Sequence, residues 1–226
     1  MIPKKIHQVW LGDKEPPAQS LEWANQWKEK HPDFEYKLWR ENDFGENEFV
    51  KAAIELNEYR FVCDWVRANI LYQEGGIYVD VDIKPYKRMN EDFLNCDFFV
   101  SRTDTWWLQN GFMGSVKKNK GVKAYIEECS SYHNVMKLFK EANPDYNKWT
   151  DHELFLNCWG DNEVLFRILP IVYEDCILTN IWNGTISSNS NKLKFIESDV
   201  MHLFPLNIDP ATISRRNLIG IHRPKV

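Results

Sequence analysis

The stretch Gly76–Pro85, GIYVDVDIKP, carries two carboxylates, Asp80 and Asp82, separated by a single valine. Side chains of an extended chain alternate sides. Ile77, Val79, Val81 and Ile83 therefore share one face, and Tyr78, Asp80 and Asp82 share the other. One face suits a core, and the other aims two acids at one spot. Neighbouring carboxylates repel unless something positive lies between them. A hard divalent cation, Mn²⁺ or Mg²⁺, fits that place, since such ions take one or two carboxylates and complete their shell with phosphate oxygens. A cation held there would neutralise charge growing on a departing diphosphate. Two acids in this spacing also occur on solvated strands, so the surrounding residues must decide.

The segment before it reads RFVCDWVRANILYQEGG. Asp64 and Arg67 stand three apart and share a face of the expected helix, where they can pair. An exposed pair of this kind contributes only about 0–1 kcal/mol. Phe61, Val62, Trp65, Val66 and Leu71 surround the two charges, so a partly buried pair is expected. Its charge-assisted bonds can grip sugar hydroxyls and a phosphate.

The elements that must position these groups follow from periodicity and punctuation. A strand is expected at Lys5–Trp10, then a turn-rich loop over Gly12–Pro17, then a helix at Leu21–Lys30. Trp23 and Trp27 lie four apart on one face of that helix, and Pro32 ends it. Glu35–Trp39 reads as a strand, and Glu48–Leu56 and Tyr59–Glu74 as helices, the second stopped by Gly75-Gly76. Further strands are expected at Asp97–Ser101, Gly111–Val116, Val200–Leu206 and Leu218–His222, and helices at Val122–Tyr132 and Asp161–Leu169. Strands and helices alternate in the first half, which implies an α/β layer structure with a largely parallel sheet flanked by helices. Ligands gather at the carboxyl ends of strands in such sheets. Trp10 and the Asp80–Asp82 pair both fall at such ends.

The totals narrow the function classes. The 226 residues suit one domain spanning 1–226, with 43% apolar and 27% charged residues and a net charge of -5. A nucleic-acid binder would show a basic surplus, so no nucleic-acid partner is expected. The five cysteines are widely spaced with no CxxC pair, and read as reduced thiols rather than a disulfide framework or zinc site. The opening MIPKKIHQVWLG lacks the apolar core of a signal peptide, and no run approaches a membrane span. The expectation is a cytoplasmic protein, with at most a peripheral contact with the inner membrane through Lys117, Lys118 and Lys120. Most of the ten tryptophans are expected in the core, and a few as platforms for flat ligands.

Taken together, FVCDWVRANILYQEGGIYVDVDI, the opening IPKKIHQVWLGDKEPP and the run SLEWANQWKEKHPDFEYKLW resemble the glycosyltransferases with a DXD sugar-binding motif, family 32. That family includes α-mannosyltransferases and capsular polysaccharide transferases. The likeness covers the first 100 residues or so and then fades. It implies a GT-A fold, a nucleotide-sugar donor (a UDP-hexose ahead of a GDP-hexose), a divalent metal, a glycan or lipid-linked saccharide acceptor and retention of anomeric configuration. Carried over by position, Asp82 would bind the metal directly, and Asp80 would contact the donor ribose and assist at the metal. Asp64 and Arg67 would grip the donor sugar and phosphate, and Trp10 would lie against the nucleobase. Tyr78 belongs to the aspartate face and either lines the same pocket or packs in the core.

The match loosens in the second half. Relatives often place a histidine near the C-terminus as a further metal or phosphate contact, and His222 in NLIGIHRPKV fits that part, with Arg223 and Lys225 beside it. The Ser-Trp ending common among relatives is missing. Asp161, Asn162, Asn110 and the Trp106-Trp107 pair are candidates for the acceptor side. His152 and Glu153 form a polar pair with no assigned role.

Overall fold

The computed structural model describes residues 1–12, 14–45, 47–89, 91–102, 108–142, 144, 148–150 and 152–154, and beyond these the strand segments 176–180, 185–188, 193–196, 201–203 and 220–222. The described strands are β1 Lys5–Val9, β2 Glu35–Trp39, β3 Gly76–Val79, β4 Ile83–Pro85, β5 Phe98–Arg102, β6 Leu108–Ser115, β7 Cys176–Asn180, β8 Thr185–Ser188, β9 Leu193–Ile196, β10 Met201–Leu203 and β11 Gly220–His222. The main helices are α1 Ala18–Lys30, α2 Glu48–Glu55, α3 Tyr59–Glu74, α4 Lys120–Ser130 and α5 Tyr132–Ala142.

Six strands form the principal sheet, in the order β2-β1-β3-β6-β5-β9. Strands β2, β1 and β3 are mutually parallel, β6 runs against both its neighbours, and β9 is parallel to β5. Only β6 therefore opposes the common direction. A small second sheet of order β10-β11-β4 stands beside the Asp80–Asp82 segment.

Alternation along the strands feeds a core on each face. Tyr78, Phe98, Val100 and Met113 pack with the apolar side of α2, α3 and α4. Ile77, Val79, Phe99 and Phe112 point the other way, onto Trp27 of α1 and the segment carrying Ile83, Met89 and Leu94. Phe61, Val62, Trp65, Val66, Ala68, Ile70 and Leu71 recur at helical spacing, so α3 is clamped lengthwise on the sheet. Its end is set by Gly75, whose N–H returns to Leu71 O (2.9 Å) at φ +65°, a region that suits glycine and lets β3 begin at once.

The expected strand through both aspartates is broken. β3 ends at Val79, and Asp80, Val81 and Asp82 form a turn closed by Ile83 N–H on Asp80 O (3.1 Å). The Asp80 N–H still completes a rung to Gly111 O (2.8 Å) before the chain turns. Ile77, Val79 and Ile83 do reach the core, but Val81 is half-buried and lines a cavity. The expected helix ending at Tyr132 also stops short: α4 closes at Ser130 and α5 starts at Tyr132. The expected helix at 161–169 lies outside the described residues.

Candidate functional site

Parallel pairing of β1 with β3 puts Ile6 beside Ile77 and His7 beside Tyr78, so the two strands end together. Beyond their ends opens a cavity of about 270 Å³. The exit of β1 contributes Val9, Trp10 and Leu11; the exit of β3 contributes Tyr78, Asp80, Val81 and Asp82. The start of α3 adds Tyr59, Arg60, Cys63 and Arg67, of which Tyr59, Cys63 and Arg67 stand four apart on one face. Trp10 is anchored by donating Nε1–H to Lys14 O (2.7 Å).

Arg67 places a positive charge between Asp64 and Asp80. It is buried, and its Nη2 lies 3.3 Å from Asp64 Oδ1 and 3.3 Å from Asp80 Oδ1. Its Nη1 donates to Asn110 Oδ1 (2.8 Å), its Nε to Cys63 O (3.2 Å), and its plane lies over the Tyr78 ring at 4.5 Å. Burial works against the guanidinium charge, but Asp80, Tyr78 and Asp64 outweigh it and keep Arg67 protonated far above its ordinary value. Burial pushes the Asp64 carboxyl up, and the Asp80 charge adds to this against the pull of Arg67. Burial likewise drives Tyr78 well above the usual phenol value, so it remains a donor, and its O–H bonds Asp80 Oδ1 at 2.7 Å.

The Asp80–Asp82 turn is held from below as well. Gln8, fully buried in β1, donates to Asp80 O (3.2 Å), and Tyr36 O–H in turn holds Gln8 Oε1 (2.5 Å). On the other side Trp27 Nε1–H donates to Ile83 O (2.9 Å). Gly111 leaves the space that the Asp80 carboxylate occupies: a Cβ there would lie 2.6 Å from Asp80 Oδ2. Sequence reasoning did not single out Gln8 or Gly111, and no local pattern marks them, since both act across the sheet. The α3 spacing of Tyr59, Cys63 and Arg67 was available and would have marked the helix face.

Most of the expected site residues converge. Trp10, Arg67, Tyr78, Asp80 and Asp82 line one cavity. Asp64 lies behind Arg67, with Oδ1 also accepting from Asn110 Nδ2 at 2.8 Å. His222 lies on β11 directly opposite Ile83 in β4, one residue beyond Asp82 along the chain. Asn110, expected on the acceptor side, is instead buried with its amide consumed by Arg67 and Asp64. His152 pairs with Glu58 (3.0 Å), and Glu153 caps Thr150 N–H (2.7 Å), which gives both a structural task. Trp106, Trp107, Asp161, Asn162, Arg223 and Lys225 lie outside the described residues.

The family model for the glycosyltransferase sugar-binding region containing the DXD motif matches residues 17–110. An uncharacterized glycosyltransferase, L373, of Acanthamoeba polyphaga mimivirus is 30% identical over 171 residues, covering 66% of this chain and 67% of the relative. The chain belongs to the DXD-motif glycosyltransferase family. Inositol phosphoceramide mannosyltransferase 3 of Schizosaccharomyces pombe is 32% identical over 125 residues, covering 51% of this chain and 34% of its own length. The chain thus spans about a third of the length of that mannosyltransferase and of its paralogue 2. Among solved structures, the PaToxG glycosyltransferase superposes with a TM-score of 0.53 at 18% identity, covering 75% of this chain and 70% of that one. The fold is GT-A, as the motif implies, and its DXD acids are Asp80 and Asp82.

The donor set suits a divalent cation. Asp80 and Asp82 present two half-buried carboxylates to one cavity, the complement that Mg²⁺ or Mn²⁺ uses together with phosphate oxygens. Among the described residues no third His, Cys, Asp or Glu joins them to form a protein-only cage. The Asp80 Oδ1 is engaged by Tyr78 and Arg67, so ligation by Asp80 would fall to its Oδ2.

Proposed function

We propose that the protein transfers a hexose from a UDP- or GDP-linked donor to a hydroxyl of a glycan or lipid-linked saccharide, with retention of anomeric configuration and with Mn²⁺ or Mg²⁺. The observation that carries this reading is the arrangement of Arg67, Asp80 and Asp82 with Trp10 at the shared carboxyl end of β1 and β3. An aromatic ring for a base, a buried cation and two carboxylates line one cavity there. The names of relatives bring mannose forward as the hexose and an inositol phosphoceramide as one acceptor type.

In this reading Trp10 stacks on the nucleobase, Arg67 faces the donor phosphate and sugar, and Asp82, with Asp80 and His222, holds the cation. When bound, that cation offsets the negative charge building on the leaving diphosphate. Among the described residues lining the cavity, Asp80 and Asp82 are the only carboxylates, and Asp80 is tied to Arg67 and Tyr78. This supports front-face attack over a double displacement, which needs a spare carboxylate nucleophile. The acceptor oxygen bonds to the anomeric carbon on the face from which the diphosphate departs, and a leaving phosphate oxygen takes the hydroxyl proton.

Cytoplasmic residence, with at most peripheral membrane contact, belongs to the same proposal. Lys117 and Lys118 sit near Glu74 and Gln73, so their charge is partly engaged by the protein itself. No described helix is long and apolar enough to cross a membrane.

The test is to incubate sugar nucleotides, GDP-mannose and UDP-hexoses first, with Mn²⁺, with and without candidate saccharides, and to follow nucleotide diphosphate release. Acceptor-dependent release in the wild type, lost in Asp82→Asn at an unchanged melting temperature, supports transfer. Equal release without acceptor makes the protein a sugar-nucleotide hydrolase, and full turnover by Asp82→Asn overturns the assigned role.

A further inference from the structure

Asn110 lies on β6, is buried, and does not line the cavity, yet its side chain bonds both charged residues of the polar cluster behind it. The amide is used in one orientation: Oδ1 accepts from Arg67 Nη1 and Nδ2 donates to Asp64 Oδ1, both at 2.8 Å. Reversing it would set donor against donor and acceptor against acceptor. With Nε bound to Cys63 O and Nη2 shared between Asp64 and Asp80, every nitrogen of the Arg67 guanidinium is then fixed. Tyr125 of α4 adds its hydroxyl 3.5 Å from the same Nδ2.

We propose that Asn110 is a positioning residue for the transfer reaction, locking Arg67 and Asp64 into one arrangement and thereby setting how Arg67 and Asp80 meet the donor diphosphate. The inference rests on the nucleotide-sugar reading above. Two anions and one cation share this cluster, and the amide is the one neutral group that can donate to Asp64 while accepting from Arg67. A hydrocarbon at position 110 leaves a buried guanidinium N–H and a buried carboxylate oxygen without their closest partners. An ionised carboxylate still accepts from Arg67 but meets Asp64 as a second anion. A protonated carboxyl restores the native pattern, its O–H toward Asp64 and its C=O toward Arg67.

The test compares wild type, Asn110→Ala and Asn110→Asp. Loss of an outer partner that orients a site residue typically costs about tenfold to a hundredfold in activity, and both variants are expected in that range at neutral pH. The distinguishing readout is the pH profile: activity relative to wild type should climb as pH falls for Asn110→Asp and stay flat for Asn110→Ala. A merely structural role would not produce acid rescue. Independently of any donor, the Arg67 guanidinium N–H signals should exchange slowly in wild type by ¹⁵N NMR and quickly in Asn110→Ala. Should Asn110→Asp fail to fold, that comparison decides alone. A flat profile for a folded Asn110→Asp, or unchanged Arg67 exchange in Asn110→Ala, overturns the proposal. A wild type that turns over no sugar nucleotide overturns the functional reading instead, and the NMR comparison still judges Asn110.

Discussion

Replacing Gly111 by alanine would test the site with a single methyl group. Its backbone lies outside the left-handed region, so alanine is tolerated there, but the new Cβ would stand 2.6 Å from Asp80 Oδ2 and 3.3 Å from its Cγ. Reaching an ordinary contact of 3.4 Å requires 3.4 − 2.6 = 0.8 Å of movement. The Asp80 carboxylate is the part that can yield, and its other oxygen, Oδ1, is held by Tyr78 O–H at 2.7 Å and Arg67 at 3.3 Å. A displacement of that size is too large for the 2.7 Å Tyr78 bond to keep its geometry, because hydrogen bonds between oxygens hold only over about 2.5–3.0 Å. A misplacement approaching 1 Å in a catalytic constellation costs about 100-fold. Because Asp80 is half-buried and can rehydrate, the stability cost should stay near 1 kcal/mol. The prediction is thus a fall of about 10- to 100-fold in kcat/KM with a nearly unchanged melting temperature. Gly114→Ala, on the same strand, is the contrast. Its Cβ would clash with the buried Phe99 ring, and about 1–3 kcal/mol of stability should be lost. Wild-type kcat/KM in Gly111→Ala would refute the claim that the position of Asp80 matters.

Further outcomes follow from the same contacts. Trp27→Phe removes the donor to Ile83 O while keeping most of the ring buried; it should lower stability by about 1–3 kcal/mol in urea titration and reduce activity through the loosened Asp82 turn. His7 and His31 are neutral by construction: each ring has one nitrogen on a carbonyl, of Gly75 and Trp27, and the other on a donor, Trp39 Nε1 and Met89 N. Burial lowers both below the ordinary value of 6.5, so their stabilisation is complete above 6.5 and drains as pH falls through the lowered folded values. The unfolding free energy from urea titration should therefore fall as the pH is lowered below about 6.5, by up to about 1.4 kcal/mol per pH unit for each ring. Asp64 acts in the opposite sense, since its raised value makes the folded state gain a proton as pH falls; Asp64→Asn should steepen the decline. An unfolding free energy that holds steady would contradict the histidine assignment.

What the sequence shows and hides follows from which contacts are local. Helix α3 and strand β2 were legible to the residue, because an apolar stripe, Gly75-Gly76 and a short strand between loops are written in consecutive positions. The turn at Asp80–Asp82 was not. The alternation of Ile77, Val79, Val81 and Ile83 reads straight through it, and the groups that hold the turn, Gln8 on Asp80 O and Trp27 Nε1 on Ile83 O, are remote in sequence. The meeting of Trp10, Arg67, Asp80 and Asp82 could be inferred from strand ends, since parallel pairing makes those ends coincide. The role of Asn110 could not, because nothing in its neighbourhood along the chain says that β6 inserts antiparallel between β3 and β5 and carries its amide to Arg67. The separate helix α5 was missed because Ser131 interrupts the pattern without glycine or proline.

The most direct measurement is manganese binding followed by electron paramagnetic resonance, with the free-ion signal recorded as wild type and Asp82→Asn are titrated in the presence of UDP or GDP. The account predicts that wild-type protein with its matching nucleotide removes the free-ion signal beyond what nucleotide alone does, and that Asp82→Asn does not. Equal binding by the two proteins, or none by the wild type with either nucleotide, would contradict it.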